Sequence, residues 1–160
     1  MNRTVNVCFV CHGNICRSPL AQGVMESLVK QEGLEKTILI SSAGVSAWHV
    51  GEPPDDRMQD TAQKHGVSLD SQARHFQATD DQKLDLVLAM DHSNFSTLKS
   101  LKPTSENQDK LFLFRSFDPK NNGNMEVPDP YYGGDQGFEL VYEMVARTCP
   151  KILEYLKTKL

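Results

Sequence analysis

Val10-Cys11-His12-Gly13-Asn14-Ile15-Cys16-Arg17-Ser18-Pro19 separates two segments of different periodicity. Before it, Val5 to Val10 is an apolar run that reads as a buried strand. After it, Leu20, Ala21, Val24 and Leu28 fall at helical spacing. Ser18 followed by Pro19 reads as a helix start, a capping residue and then proline at the first helical position. The stretch is therefore a tight loop from the end of a strand to the beginning of a helix. Backbone N–H groups at such a place have no intrahelical partner, and the helix dipole adds partial positive charge. A loop of these groups cradles an anion, with Gly13 and Asn14 the residues most able to take left-handed backbone angles.

Two side chains give the cradle a reaction. Cys11 opens the loop and Arg17 closes it. If the loop curls around a tetrahedral oxyanion, both ends meet over the same ligand. The guanidinium can hold two equatorial oxygens with a bidentate fork. The positive surroundings that bind the anion also favour thiolate over thiol. A thiolate beneath a bound phosphate is an in-line nucleophile.

Outward from this loop the chain alternates strands and helices. Thr37 to Ala43 reads as a second strand, Leu84 to Met90 as a buried third, and Leu111 to Phe114 as a fourth. Pro53 and Pro54 introduce a helix to about His65, with Met58, Ala62 and His65 on one face and Gly66 ending it. Asp91 to Leu101 reads as a helix with Phe95, Leu98 and Leu101 inward, and Lys102 to Lys110 as a polar loop. Phe138, Val141, Val145, Cys149, Ile152, Leu156 and Leu160 mark a last helix, which Pro150 should kink or deprive of a carbonyl partner. The pattern predicts a small, doubly wound α/β fold: a mainly four-stranded parallel sheet with helices on both faces, one domain over residues 1–160. Ligands in such sheets bind beyond the carboxyl ends of strands, where Cys11 lies. The loop from Arg115 to Gly134 follows another such end, and about twenty residues without clear structure usually mean function or disorder.

Composition narrows the classes. The chain has 160 residues, enough for a proper core, and its net charge of −4 gives no basic footprint for nucleic acid. No apolar run approaches the ~20 residues of a membrane helix. Met1 to Val10 is too short and polar for a signal peptide, so a cytoplasmic location is expected. Of the cysteines, Cys8, Cys11 and Cys16 crowd one loop and Cys149 stands apart, unlike a secreted disulfide framework. No cofactor and no metal are expected, and the state should be a monomer or weak self-association.

Residues 10–19 match V-C-x-G-N-x-C-R-S-P, and Asp129-Pro130-Tyr131-Tyr132 reads D-P-Y-Y. In these two motifs and their spacing the chain resembles the low-molecular-weight protein tyrosine phosphatases over nearly its whole length. The resemblance implies hydrolysis of phosphotyrosine or aryl phosphate monoesters through a cysteinyl-phosphate. Cys11, Arg17 and Asp129 would carry the reaction, and His12, Gly13, Asn14, Ile15, Cys16 and Ser18 would form the phosphate-binding loop. The leaving oxygen needs a proton, which a carboxylic acid opposite the thiolate can supply before acting as base on water. The residues alone leave Asp118, Asp129 and Asp135 as candidates, and Asp-Pro is also a turn former; the resemblance assigns Asp129.

Further roles are implied in the same way. Ser18 would place its hydroxyl near the thiolate, besides capping the helix. Asn14 would fix the loop's shape. Cys16 would be a redox partner able to form a reversible disulfide with Cys11, or else a small buried hydrophobe. Trp48, Tyr131 and Tyr132 would wall a pocket deep enough to exclude phosphoserine and to stack an aromatic ring. His12 and His49 fall at rim positions that vary in the family. One departure touches the serine's support: many relatives have histidine two places before A-R, where this chain has Ser71.

Rival readings are weaker. Cys8-Phe9-Val10-Cys11-His12 is literally a haem-attachment pattern, but it lies in a strand-like run with no export signal. Cys8, Cys11, Cys16 and His12 could suggest zinc, yet odd spacing puts Cys8 and Cys11 on opposite faces of a strand. Arsenate reductases on this fold need further mid-chain cysteines, and none lies between Cys16 and Cys149. A non-catalytic phosphotyrosine-binding module would have no use for Cys11, Arg17 and Asp129 together.

Overall fold

The run that ends at the loop is β1 (Val5–Cys11), and six of its seven residues are buried because both of its edges and both of its faces are covered. The computed structural model describes residues 3–101, 110–131 and 133–160, apart from the side chain of Asp81. Tyr132 and most of the polar loop, residues 102–109, lie outside the described residues. On one edge β1 pairs with β2 (Ile38–Gly44), from Val5 opposite Ile38 to Cys11 opposite Gly44. On the other it pairs with β3 (Leu86–Ala89), which in turn pairs with β4 (Leu111–Leu113). The sheet order is β2-β1-β3-β4 and every pairing is parallel.

Alternation along β1 sorts its side chains between two apolar layers. Val5, Val7, Phe9 and Cys11 join Leu20, Met25, Met58, Phe138, Val145 and Cys149. That layer is covered by α1 (Arg17–Gln31), α2 (Asp56–Lys64) and α4 (Asp135–Lys157). Cys8 and Val10 join Ala43, Phe76, Val87 and Leu98, the last from α3 (His92–Leu101). Helices therefore lie on both faces, and Cys8 and Cys11 point into different layers. Among the described residues no helix is long and apolar enough to cross a membrane.

Several sequence expectations are corrected. β1 runs one residue past its apolar run, to Cys11, β2 sits one residue later than expected, β4 ends one residue early, and β3 is three residues shorter, starting at Leu86 because Asp85 turns to receive the Asn6 N–H. α2 starts at Asp56 because the Asp55 carboxylate accepts the Arg57 N–H and caps it. His65 leaves the buried face: its ring stacks on Tyr142 with centroids 3.8 Å apart and bonds Glu139 at 3.0 Å. Leu101 is exposed. The segment after β4 is not wholly irregular, since Phe114–Phe117 forms a short 3-10 helix.

α4 runs unbroken through Pro150. Pro150 has no N–H, so the helix continues with the Ala146 carbonyl deprived of its partner. Its ring is exposed, so nothing packs on it to offset the loss. Pro150→Ala should raise stability by roughly 1–2 kcal/mol, the helix gain less the unfolded-chain term. That corresponds to a Tm increase of roughly 2–8 °C by differential scanning calorimetry; an unchanged or lower Tm contradicts it.

Candidate active site

The sheet order brings the ends of β1, β2 and β3 side by side, and the loop after β1 lies across them. Val45 and Ser46 donate their N–H groups to the Cys11 and His12 carbonyls at 3.0 Å each, and Asp55 donates to Ile15 O at 2.8 Å. These bonds occupy the carbonyls of Cys11, His12 and Ile15. Its N–H groups from His12 to Arg17 meet no protein acceptor among the described residues. An anion is the partner such a row of donors can take.

Asn14 alone in this loop has a left-handed backbone, with φ 59°. Gly13 does not need that freedom; a Cβ there would lie 2.9 Å from the His49 ring. Gly44, beneath the loop, is the more constrained glycine. Its Cβ would stand 2.7 Å from the His12 carbonyl oxygen and 3.1 Å from the Asn14 nitrogen, both backbone atoms.

The hydrogen-bond directions around Cys11 follow from one fixed donor. The Arg74 backbone N–H can only donate, so the Asn14 atom 3.0 Å from it is the carbonyl oxygen. The Asn14 amide therefore donates to Ser18 Oγ at 2.7 Å and to Ser42 Oγ at 3.0 Å. Ser42 passes its own proton to Gln22 Oε1 at 2.5 Å. Ser18 Oγ, already accepting, has two acceptors within reach, Cys11 Sγ at 3.0 Å and the Ala43 carbonyl at 3.5 Å, and donates to the nearer sulfur when that sulfur is an anion. This corrects the capping role expected of Ser18. α1 begins at Arg17 with Cys16 at the cap position and no side-chain cap bond, and the serine hydroxyl is used by the sulfur instead. His75 does not take the place of the histidine missing at Ser71, since it bonds Val45 O; the support comes from Asn14, Ser42 and Gln22.

Arg17 is 2 % exposed. Its Nη1 donates to Asp91 Oδ2 at 2.7 Å and to Val127 O at 3.0 Å. Nη2 lies 3.5 Å from Asp129 Oδ2. Burial alone would weaken its charge, but the Cys11 sulfur, Asp91 and Asp129 more than compensate and raise its pKa. No motif in the sequence marks Asp91. Its position just past β3, beside the equivalent end of β1, is the signal that could have found it. It also caps α3 by accepting the Asn94 N–H at 2.8 Å.

The three carboxylates left open by sequence separate cleanly. Asp118 has no exposed side-chain surface and is held by Arg115 Nε at 2.8 Å and by Arg147 Nε at 2.8 Å. Burial would raise its pKa, but hydrogen bonds from Arg147, the Lys120 N–H and Arg115 hold it down to about 2. It cannot carry a proton near neutrality. Asp135 opens α4 and lines a separate acidic concavity with Glu139 and Glu143. Asp129 alone faces Cys11 across a shared cavity of about 460 Å³, with Arg17, Trp48, His49 and Tyr131 on its other sides. Its Oδ1 accepts the Tyr131 N–H at 3.0 Å, leaving Oδ2 toward Arg17.

Trp48 lines this cavity and is 84 % exposed. His12, Gly13, Ile15 and Cys16 also line it. Cys16 is buried and free, and burial pushes its thiol well above the ordinary range. Burial likewise raises Cys8 to about 11.

A family model described as "Low molecular weight phosphotyrosine protein phosphatase" matches residues 6–160. A Streptomyces coelicolor low molecular weight protein-tyrosine-phosphatase is 46% identical over 143 residues, which is 89% of this chain and 87% of that one. The crystal structure of an Entamoeba histolytica protein tyrosine phosphatase superposes with a TM-score of 0.91 at 34% identity, covering 98% of this chain and 100% of that one. DARP, a Drosophila arginine phosphatase, superposes with a TM-score of 0.87 at 31% identity over 94% and 97% of the two chains.

The Asp118 cluster makes a prediction about acid stability. A carboxylate held near pKa 2, against an ordinary 3.8, stabilises the fold above about pH 4 and loses that contribution as pH falls toward 2. Asp118→Asn should therefore cost about 2 kcal/mol at pH 7, measured by urea unfolding, with the gap to wild type closing below pH 4. A gap independent of pH contradicts the assignment.

Proposed function

The chain belongs to the low molecular weight phosphotyrosine protein phosphatase family, and from that premise we propose that residues 1–160 form one catalytic domain that hydrolyses phosphotyrosine and aryl phosphate monoesters. The observation that carries this reading is the Ser18 hydroxyl 3.0 Å from Cys11 Sγ, on the floor of a cavity that Arg17 and Asp129 also line.

In the first step the Cys11 thiolate attacks phosphorus in line with the ester oxygen. The S–P bond forms as the P–O bond breaks, and the Asp129 carboxyl group gives its proton to the departing phenolic oxygen. The Arg17 guanidinium, with Nη1 committed to Asp91 and Val127, keeps the rest of its fork for two equatorial oxygens. The loop N–H groups spread the remaining charge. In the second step Asp129 takes a proton from water as the water oxygen attacks phosphorus. The S–P bond breaks, inorganic phosphate is released, and the Ser18 O–H stabilises the returning sulfur anion. Every electron pair and proton is accounted for by these side chains and water.

The substrate preference follows from the walls. Trp48, His49 and Tyr131 make a slot that an aryl group can fill. Tyr132, which the family resemblance makes a further wall residue, lies outside the described residues. The pairing of Cys11 with Cys16 under oxidation belongs to the same proposal, as does action on phosphotyrosine proteins in the cytoplasm by a monomer or weakly self-associating chain. DARP shares the fold, so phosphoarginine is the control substrate that tests the choice of phosphoamino acid.

Cys11→Ser should reduce p-nitrophenyl phosphate turnover to background while vanadate or phosphate still binds. Asp129→Ala should slow phenyl phosphate hydrolysis by about 100- to 10,000-fold. Stopped assays on phosphotyrosine, phosphoserine and phosphoarginine peptides check the substrate class; phosphotyrosine should be preferred. Turnover that survives Cys11→Ser, or that is insensitive to Asp129→Ala, overturns the mechanism.

A further inference from the structure

Arg57 lies in the first turn of α2 and does not line the cavity that holds Cys11 and Asp129. It is nonetheless bonded toward both. Its guanidinium grips Asp55 with a fork, Nε to Oδ1 at 3.1 Å and Nη2 to Oδ2 at 3.0 Å. Asp55 in turn gives its own N–H to Ile15 O, within the anion loop, at 2.8 Å. On the other side Arg57 Nη2 donates to the Tyr131 carbonyl at 3.0 Å, and its Cζ lies 5.5 Å from the Tyr131 ring centroid. The Tyr131 N–H then donates to Asp129 Oδ1 at 3.0 Å.

These contacts form one continuous path: Ile15, Asp55, Arg57, Tyr131, Asp129. The path ties the segment carrying the carboxylate to the loop carrying the sulfur, and it runs apart from Arg17, whose Nη1 is held by Asp91 and Val127. A tether of this kind is needed because Asp129 is 41% exposed and sits on a segment without helix or strand. The Phe138 ring, 4.7 Å from Arg57 Cζ, fixes the guanidinium from the α4 side. The planar fork makes the choice of arginine chemically specific, since it bonds a carboxylate and a carbonyl at once.

We propose that Arg57 is a positioning residue for the proton transfers of Asp129, holding that carboxylate at a set distance from the nucleophile loop through Asp55 on one side and Tyr131 on the other. This rests on the reading of Asp129 as acid and base. General acid catalysis matters most when the leaving group is poor, so the signature is a change in leaving-group dependence. A general loss of activity would not be that signature.

The test compares kcat/KM for phenyl phosphate, a poor leaving group, and p-nitrophenyl phosphate, a good one. Wild type, Arg57→Gln, Asp129→Asn and the double variant are measured. Arg57→Gln should lower the phenyl phosphate value by about 10- to 100-fold, as for misplacement of a catalytic group by an ångström or less, and the p-nitrophenyl phosphate value far less. In the Asp129→Asn background the same change should have almost no further effect on either substrate. If Arg57→Gln does not fold, Arg57→Lys, which keeps the charge and loses the fork, is read by the same ratio. Equal losses on both substrates, or an undiminished effect in the Asp129→Asn background, overturn the proposal. The two failures are distinguishable. If Asp129→Asn shifts the substrate ratio and the Arg57 variants do not, the tether alone is wrong. If Asp129→Asn leaves the ratio unchanged, the acid assignment fails and the tether with it.

Discussion

The contact on which the site depends is the one between the Ser18 hydroxyl and the Cys11 sulfur. A sulfur at the floor of a buried loop is useful only if something favours its anion there. Here the proton direction is set by a relay that starts at a backbone N–H with no alternative role. Arg74 N–H fixes the Asn14 oxygen, the Asn14 amide donates to Ser18 Oγ, and of the two acceptors within reach of the Ser18 O–H the Cys11 sulfur, at 3.0 Å, is nearer than the Ala43 carbonyl, at 3.5 Å. Asn14 does this from a left-handed backbone, a conformation its short polar side chain tolerates. One residue therefore both bends the loop and polarises its serine.

The charges are arranged with comparable economy. Arg17 is almost withdrawn from water and pairs with a half-buried Asp91, so that one arm of the guanidinium is spent on anchoring. Removing one partner of such a pair leaves an uncompensated charge, so the arrangement is costly to disturb. Asp118 and Asp129 show how environment divides labour between two chemically identical side chains. Two arginines lock Asp118 in the ionised form and make it a structural post for the segment between β4 and α4. Asp129 has a single arginine near it and faces the cavity instead.

Much of this was legible in the sequence, and the rest was not for identifiable reasons. The strand-loop-helix around Cys11 could be read because hydrophobic period changes within ten residues, and the parallel sheet because strands alternate with helices. Strand ends were overrun at Leu84 and Phe114, where apolar side chains pack without pairing. For Ser18 the local sequence offers only a cap, and it is the family resemblance that places its hydroxyl near the sulfur seven residues away. Asp91 looked like an ordinary helix start, which it also is. Asp118 and Asp129 are both followed by proline, and what distinguishes them is the grip of Arg115 and of Arg147, the latter 29 residues beyond Asp118 in sequence. Gly44 and Arg57 carried no local signal at all; their roles arise where separate segments meet.

The most direct measurement of whether Cys11 is the group that bonds to phosphorus is an acid quench during steady-state turnover of p-nitrophenyl phosphate, followed by peptide mass spectrometry. A phosphoryl group on the peptide containing Cys11, and its loss when substrate is exhausted, is the predicted result. Continued turnover with no phosphoryl group on Cys11, or with one on a different side chain, would contradict the mechanism.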